Sequence, residues 1–255
     1  MTQRETDLRA QLAAGEVPAH VGIIMDGNGR WAELRGLPRL EGHRVGSESV
    51  RAITTAAREV GVKALTLYAF SAQNWARPGD EVEGLMELLR LYLLQERPTV
   101  MENGIRLRAV GDLDALPAGV REVLNDLARD SSANDGMILT LALSYGGREE
   151  LVHAARRIAE DVAAGRLRPA DVDAEAFASR LHSAALPDLD LCIRTSGELR
   201  VSNFLPWQIA YAEILVTEAL WPEFREEAFF SALLDYRKRE RRFGLTGAQV
   251  RGTIG

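Results

Sequence analysis

The sequence predicts an α/β fold in which a mostly parallel sheet is covered by helices on both faces. Short apolar runs rich in branched residues alternate with helical patterns along the chain, the arrangement of βαβ units. The runs at residues 21–25 and 64–70 lack the polar alternation of a strand with one wet face, so they read as buried strands. Three of the apolar runs break at once into small, polar and arginine-bearing loops, and in an open α/β sheet the crevice beyond the strand ends is where ligands bind. The 255 residues suit one domain, with no internal repeat and no linker-like stretch to divide them.

Residues 2–14, with Leu8, Leu12 and Ala13 on one side, form a short amphipathic helix. Residues 21–25 are too few and too branched for a helix and make the first buried strand. That strand ends on Asp26, after which Gly27 and Gly29 let the backbone turn with positive φ and approach a ligand closely. A helix beginning soon afterwards adds its amino end to such an anion cradle, although an ordinary surface turn has the same composition. Arg35, Arg39, His43 and Arg44 crowd a loop that leads into a helix over residues 47–60; a solvated basic face is the alternative to a site.

Residues 64–70 make the second strand. The loop after it, residues 71–78, mixes Ser71, Asn74, Trp75 and Arg77, with Gly79 as a hinge; loops that close over substrates look like this, and so do ordinary connections. Asp80 caps the next helix, whose leucines cover more than one stripe, as core or as the wall of an apolar cavity. Strands over residues 105–110 and 137–145 flank a helix starting at Pro117. Gly146 and Gly147 open a helix over residues 149–164, and residues 173–183 form another. A strand over residues 190–194 breaks into a loop from Arg194 to Arg200; a last strand covers residues 212–217, and a closing helix runs into the basic stretch 237–244. On this scaffold Asp26, the Ser71 loop and the Arg194 loop converge on one edge of the sheet.

The formal net charge of −6 argues against a nonspecific nucleic-acid binder. Lys63 and Lys238 are the only lysines, so a single arginine says little and only placement makes one informative. Cys192 is the only cysteine, which precludes an intrachain disulfide and fits a reducing cytoplasm. The charged amino terminus lacks a signal-peptide core and no run reaches the length of a membrane span. The sequence therefore reads as a soluble cytoplasmic protein, with peripheral contact at a membrane left open.

Gly27, Gly29 and Ala32 match the dinucleotide fingerprint G-x-G-x-x-A, which brings an oxidoreductase into consideration. Two details count against it: Ser71 follows Phe70 where a ribose-binding acid is expected, and Asp26 would face the pyrophosphate. There is no Walker A sequence, no zinc set and no nucleophile elbow. Asp26 and Glu213 remain as oxygen ligands of the kind Mg²⁺ takes beside substrate phosphates. Arg30, Arg39, Arg77, Arg194 and Arg200 are suited to paired hydrogen bonds with diphosphates. Together with the apolar lining they point to metal-assisted work on diphosphates that carry hydrocarbon.

Residues 20–46, 70–78, 144–147 and 190–213 closely resemble the cis-prenyltransferase family. The resemblance runs in order through nearly the whole chain. It implies a single domain over residues 1–255, with an N-terminal helix in 1–19, a six-stranded, mostly parallel sheet, about seven helices and a hydrophobic tunnel beneath the active-site edge. It also implies a homodimer that condenses an allylic diphosphate, farnesyl diphosphate being the expected primer, with isopentenyl diphosphate. The expected product is a long cis-polyprenyl diphosphate, of undecaprenyl length for a cell-wall lipid carrier, delivered to the membrane; a short-chain synthase and a noncatalytic partner subunit are the alternatives. By resemblance Asp26 binds Mg²⁺ and is the central catalytic residue. Gly27, Asn28, Gly29, Arg30, Trp31, Arg39 and His43 hold the allylic diphosphate, while Ser71, Asn74, Trp75 and Arg77 belong to a mobile catalytic loop. Arg194, Arg200 and Ser202 bind isopentenyl diphosphate, Glu213 supports metal and subunit contacts, and Arg242 and Gly244 in the segment 237–255 reach a neighbouring subunit's site. Leu199 replaces a residue that is often polar in relatives, so no role is assigned to it.

Overall fold

The computed structural model describes residues 2–239. Six strands, β1 (His20–Ile24), β2 (Ala64–Ser71), β3 (Ile105–Val110), β4 (Met137–Tyr145), β5 (Leu191–Arg194) and β6 (Glu213–Val216), form one sheet in the order β3-β4-β2-β1-β5-β6. Every neighbouring pair is parallel, because each return to the sheet passes through a crossover long enough to carry helix or turn. The described residues hold eight helices: α1 (Gln3–Ala13), α2 (Asn28–Glu33), α3 (Arg39–Glu59), α4 (Gly79–Glu102), α5 (Ala118–Asp130), α6 (Gly147–Ala163), α7 (Ala174–Ala178) and α8 (Glu226–Arg237).

β1 and β5 are buried along their whole length, as their unbroken apolar runs require. On one face the sheet packs a large core that includes Ile53, Leu65, Leu93, Leu127, Trp221 and Phe229; on the other, a smaller one gathers Ile24, Ala142, Tyr145, Cys192 and Phe204. Burial pushes the Cys192 thiol up to about 12, so this cysteine is an inert core residue, as its apolar neighbours suggested.

Four boundaries differ from the sequence reading. α2 is an additional helix, immediately after Gly27, and α3 begins at Arg39, well ahead of residue 47. Arg39, His43 and Arg44 are therefore helical. Gly42 and Gly46 look like breakers, yet they lie inside α3 because α2 rests on them: a Cβ at Gly42 would stand 1.9 Å from the Asn28 carbonyl oxygen, and one at Gly46 2.3 Å from Asn28 Oδ1. Asp80 lies in the first turn of α4, behind Pro78 at the cap position, where its charge meets the positive helix end. α7 spans only five residues, capped by Asp173, whose carboxylate accepts from the Ala176 N–H at 2.8 Å.

Candidate active site

β1 delivers Asp26 to the carboxyl edge of the sheet, and Thr195, at the end of β5, fixes it there. The Asp26 N–H donates to Thr195 Oγ1 at 2.9 Å, the Thr195 hydroxyl donates to the Asp26 carbonyl at 2.6 Å, and the Trp221 N–H reaches the same carbonyl at 3.0 Å. The carboxylate accepts from the Gly27 N–H at 2.8 Å and from Arg194 Nη2 at 2.7 Å. Arg194 is nearly buried, with 5% of its side chain exposed against 35% for Asp26. Its Nη1 donates to Ser202 Oγ at 2.8 Å and to the Arg200 carbonyl, and its buried Nε has no hydrogen-bond partner among the described residues. β1 and β5 are adjacent and in register, Ile24 opposite Arg194, which explains why two loops distant in sequence meet.

Gly27, with φ of +103°, turns the chain into α2, and a Cβ there would meet Leu220 Cδ2 at 2.9 Å. The N–H groups of Asn28, Gly29 and Arg30 open the helix, where no preceding turn can accept them. Gly29 admits the Arg39 guanidinium directly above it; a Cβ would lie 2.7 Å from three of its atoms. Two carboxylates that the sequence reading passed over organise the arginines. Glu81 accepts from Arg77 at 2.9 Å and lies 3.8 Å from Arg39; Glu198 faces Arg30 at 3.4 Å and accepts from Arg200. The signal for Glu81 was its place four residues after Arg77, the spacing of helical ion pairs. Thr195 and Glu198 stood inside the Arg194–Arg200 run and were legible only as loop residues.

A polar cavity of about 250 Å³ is lined by Asp26, Gly27, Asn28, Gly29, Arg30, Glu33, Arg39, His43 and Arg77. An apolar cavity of about 180 Å³ shares Met25, Asn28, His43 and Arg77 with it and is walled by Val50, Leu67, Leu85, Leu88, Leu89, Tyr92, Leu141 and Trp221. The wide leucine face of α4 is thus both core and cavity wall. His43 stands at the junction. Burial, and then the positive Arg77 and Arg39, lower its pKa to about 4, so at neutral pH the ring is uncharged and offers one N–H donor.

The Ser71 loop is a single 3₁₀ turn, Ala72–Ala76, folded onto β4. Ser71 caps it by a reciprocal bond with Asn74, the Ser71 N–H donating to Asn74 Oδ1 at 3.0 Å. Trp75 donates from Nε1 to Ser144 Oγ at 2.9 Å and packs edge-on against Phe70. Asn74 and Arg77 therefore line the apolar cavity, whereas Ser71 and Trp75 shape and anchor the turn. Trp31 lines neither cavity; it lies under the Arg35 guanidinium, 4.2 Å from its ring centroid.

Glu213 does not join Asp26 within one chain. It opens β6 opposite Leu191, whereas Asp26 lies two residues beyond the far end of β1. In a parallel sheet that register separates them by about five residues of strand, on the order of 16 Å. One cation cannot bind both carboxylates within a chain; Glu213 accepts instead from Arg239 at 2.9 Å. Arg242 and Gly244 lie outside the described residues.

The donor set at Asp26 suits a hard divalent cation that shares its shell with substrate. Asp26 is part-exposed, and Asn28 Oδ1 is buried without a partner among the described residues. Among the described residues no group of three or more carboxylate, histidine or cysteine side chains can hold a metal alone. One carboxylate completed by diphosphate oxygens is how Mg²⁺ is commonly bound.

Comparison with known proteins agrees with this geometry. Residues 24–244 match the prenyltransferase family model described as "Putative undecaprenyl diphosphate synthase". An isoprenyl transferase of Geobacter sulfurreducens is 50% identical over 239 residues, 94% of this chain and 97% of the relative. A ditrans,polycis-undecaprenyl-diphosphate synthase, (2E,6E)-farnesyl-diphosphate specific, of Xanthomonas axonopodis pv. citri is 49% identical over 92% of this chain and 91% of its own length. The crystal structure of lavandulyl diphosphate synthase from Lavandula x intermedia, in complex with dimethylallyl diphosphate, superposes with a TM-score of 0.88 at 39% identity, covering 89% of this chain and 98% of that one.

Proposed function

The chain belongs to the cis-prenyltransferase family, and from that premise we propose that it condenses isopentenyl diphosphate with farnesyl diphosphate and extends the product to undecaprenyl diphosphate. One observation carries the reading: a polar, arginine-lined cavity shares its wall with an apolar one, the shape of a site for a charged head and a hydrocarbon tail. The allylic diphosphate takes the polar cavity. There the amides that open α2, with Arg30 and Arg39, neutralise its charge, and His43 donates a neutral N–H. Its hydrocarbon enters the apolar cavity past Asn74 and Arg77. Isopentenyl diphosphate is held by Arg194, Arg200 and Ser202, and the Asp26–Arg194 pair puts the two heads side by side.

Asp26, together with substrate oxygens, would hold Mg²⁺, which when bound would supply charge stabilisation for the departing pyrophosphate. The arginines stabilise the same charge, most effectively where water is excluded. The Ser71 turn, packed on β4 by Trp75, shields the allylic carbon from water as its carbon–oxygen bond breaks, pyrophosphate leaves, the new carbon–carbon bond forms and the C2 proton of the isopentenyl unit passes to a diphosphate oxygen with formation of the new double bond. Each added five-carbon unit gains at most about 4 kcal/mol of apolar burial, at ~0.8 kcal/mol per methylene-sized group, which draws the lipid inward while its head stays anchored.

The active form is a homodimer. β6 is a sheet edge, and Trp207, Tyr211 and Ile214 expose 40%, 72% and 43% of their surface beside it, an apolar patch that a second copy covers. In that dimer Arg242 and Gly244 complete the neighbouring site, and Glu213 serves the subunit contact. No helix among the described residues is long and apolar enough to cross a membrane. We place the enzyme in the cytoplasm, with peripheral contact at the inner membrane for product delivery.

Incubation with farnesyl diphosphate, isopentenyl diphosphate and Mg²⁺, followed by mass spectrometry, tests the reading. A ladder of polyprenyl diphosphates ending at undecaprenyl length is expected, and no elongation overturns it. A short-chain product is the second reading, and termination after one or two additions selects it.

A further inference from the structure

Of the segment Ser144-Tyr145-Gly146-Gly147 only Ser144, which anchors Trp75, has entered the chemistry above, yet its glycines pack against the loop that holds the second diphosphate. Ser202 and Asn203 both lie in the left-handed region, with φ of +46° and +65°. Non-glycine residues remain there only when their surroundings over-determine them. Three hydrogen bonds from the first turn of α6 do so. The Gly147 N–H donates to the Asn203 carbonyl at 2.8 Å, the Arg148 N–H donates to Asn203 Oδ1 at 2.8 Å, and Asn203 Nδ2 donates to Glu149 Oε2 at 2.9 Å. The two glycines make the approach feasible: a Cβ at Gly146 would stand 2.9 Å from Asn203 Nδ2, and one at Gly147 2.0 Å from Pro206 Cδ. On the other side, the single Tyr68 hydroxyl proton is shared between the Tyr145 carbonyl at 3.1 Å and the Ser202 carbonyl at 3.3 Å.

We propose that Asn203, gripped by the first turn of α6, is a positioning residue for the isopentenyl diphosphate site. It touches no reacting atom. By fixing the loop conformation it places Ser202 Oγ and the Arg200 carbonyl as acceptors for Arg194, and Arg194 in turn orients Asp26. Glu149 is the partner that makes the grip specific, since its carboxylate can only accept and the Asn203 amide supplies the donor. The proposal rests on the assignment of Arg194, Arg200 and Ser202 made above.

Asn203→Asp isolates the bond, because Asp tolerates the left-handed conformation and keeps the acceptor for the Arg148 N–H. It sets one carboxylate against another where an amide had donated. The expected result is a rise on the order of tenfold in KM for isopentenyl diphosphate, the scale of a lost hydrogen bond to a charged group, with KM for the allylic diphosphate within about twofold. In the double variant N203D/E149Q the new amide donates to the new carboxylate, and KM returns to within about threefold of wild type. Glu149→Ala introduces no repulsion and gives a smaller rise in the same parameter, which keeps the test open if N203D does not fold.

Equal rises in both KM values, unchanged KM values in N203D and E149A, or no recovery in a folded double variant each overturn the proposal. An unmodified enzyme that shows no turnover overturns the functional reading and this inference with it. Turnover without the selective KM change overturns this inference alone.

Discussion

Gly42→Ala tests whether the contact between α2 and α3 sets the diphosphate cradle. The new methyl carbon would stand 1.9 Å from the Asn28 carbonyl oxygen, against the ~3.3 Å at which carbon and carbonyl oxygen normally meet. The obstacle is backbone and cannot rotate aside, so α2 must retreat by about an ångström or more. Forcing atoms into a packed region costs about 1–3 kcal/mol, and an immovable obstacle belongs at the upper end. Replacing a helical glycine returns up to about 1 kcal/mol. The net loss of about 2 kcal/mol lowers Tm by roughly 4–8 °C in a chain of this size. Because α2 carries Gly27 to Arg30, KM for the allylic diphosphate rises more than KM for isopentenyl diphosphate. Thermal unfolding followed by circular dichroism, with steady-state kinetics, reads both effects. Gly119→Ala, inside α5 with no atom within 4 Å of the new Cβ, is the control: it leaves the KM values unchanged and raises Tm slightly rather than lowering it. A G42A protein as stable as wild type, with unaltered KM values, refutes the reasoning.

Asp26→Ala removes the carboxylate that meets Arg194 and is expected to lower turnover by about two to three orders of magnitude, the scale of losing a preorganised electrostatic group. The variant stays folded, because Arg194 keeps Ser202 Oγ and the Arg200 carbonyl; circular dichroism and single-turnover rates check both points, and normal turnover sinks the assignment. Chelation by EDTA should abolish turnover and added Mg²⁺ should restore it; full activity in EDTA excludes metal assistance. His43 should titrate near pH 4 in an NMR experiment, and its folded value lies below the unfolded one of about 6.5. The unfolded chain then binds the extra proton between those values, so this contribution to stability is whole above pH 6.5 and is lost as pH falls towards 4. Inorganic pyrophosphate in the polar cavity should raise the His43 value by about one unit or more; an unmoved titration places His43 away from the anion.

All six strands were visible in the sequence to within about two residues; β1 and β5, buried along their length, had to be apolar throughout, and polar loops mark where they end. The same logic found Asp26 and Arg194, which sit at the ends of β1 and β5. The extent of α3 was not legible. Gly42 and Gly46 weaken a helix in isolation, and only the pressure of α2 against them explains their place. The shortness of α7 was equally hidden, since its helical pattern continued beyond the five residues that adopt it.

The sequence alone determined the layered α/β architecture, the sheet edge on which the candidate site residues gather and their arginine-rich character, because each follows from local periodicity and residue type. Only the tertiary structure decided which of those residues meet. Strand order put β5 beside β1, and so Arg194 on Asp26; the parallel register sent Glu213 to the opposite edge. It also paired Glu81 and Glu198 with the arginines, laid Trp31 under Arg35, tied Trp75 to Ser144 and set Asn203 in the grip of α6. The physical reason is one of range: periodicity reports the environment of a residue's own turn or strand, whereas contacts between residues 26 and 194, or 149 and 203, depend on how separate elements pack.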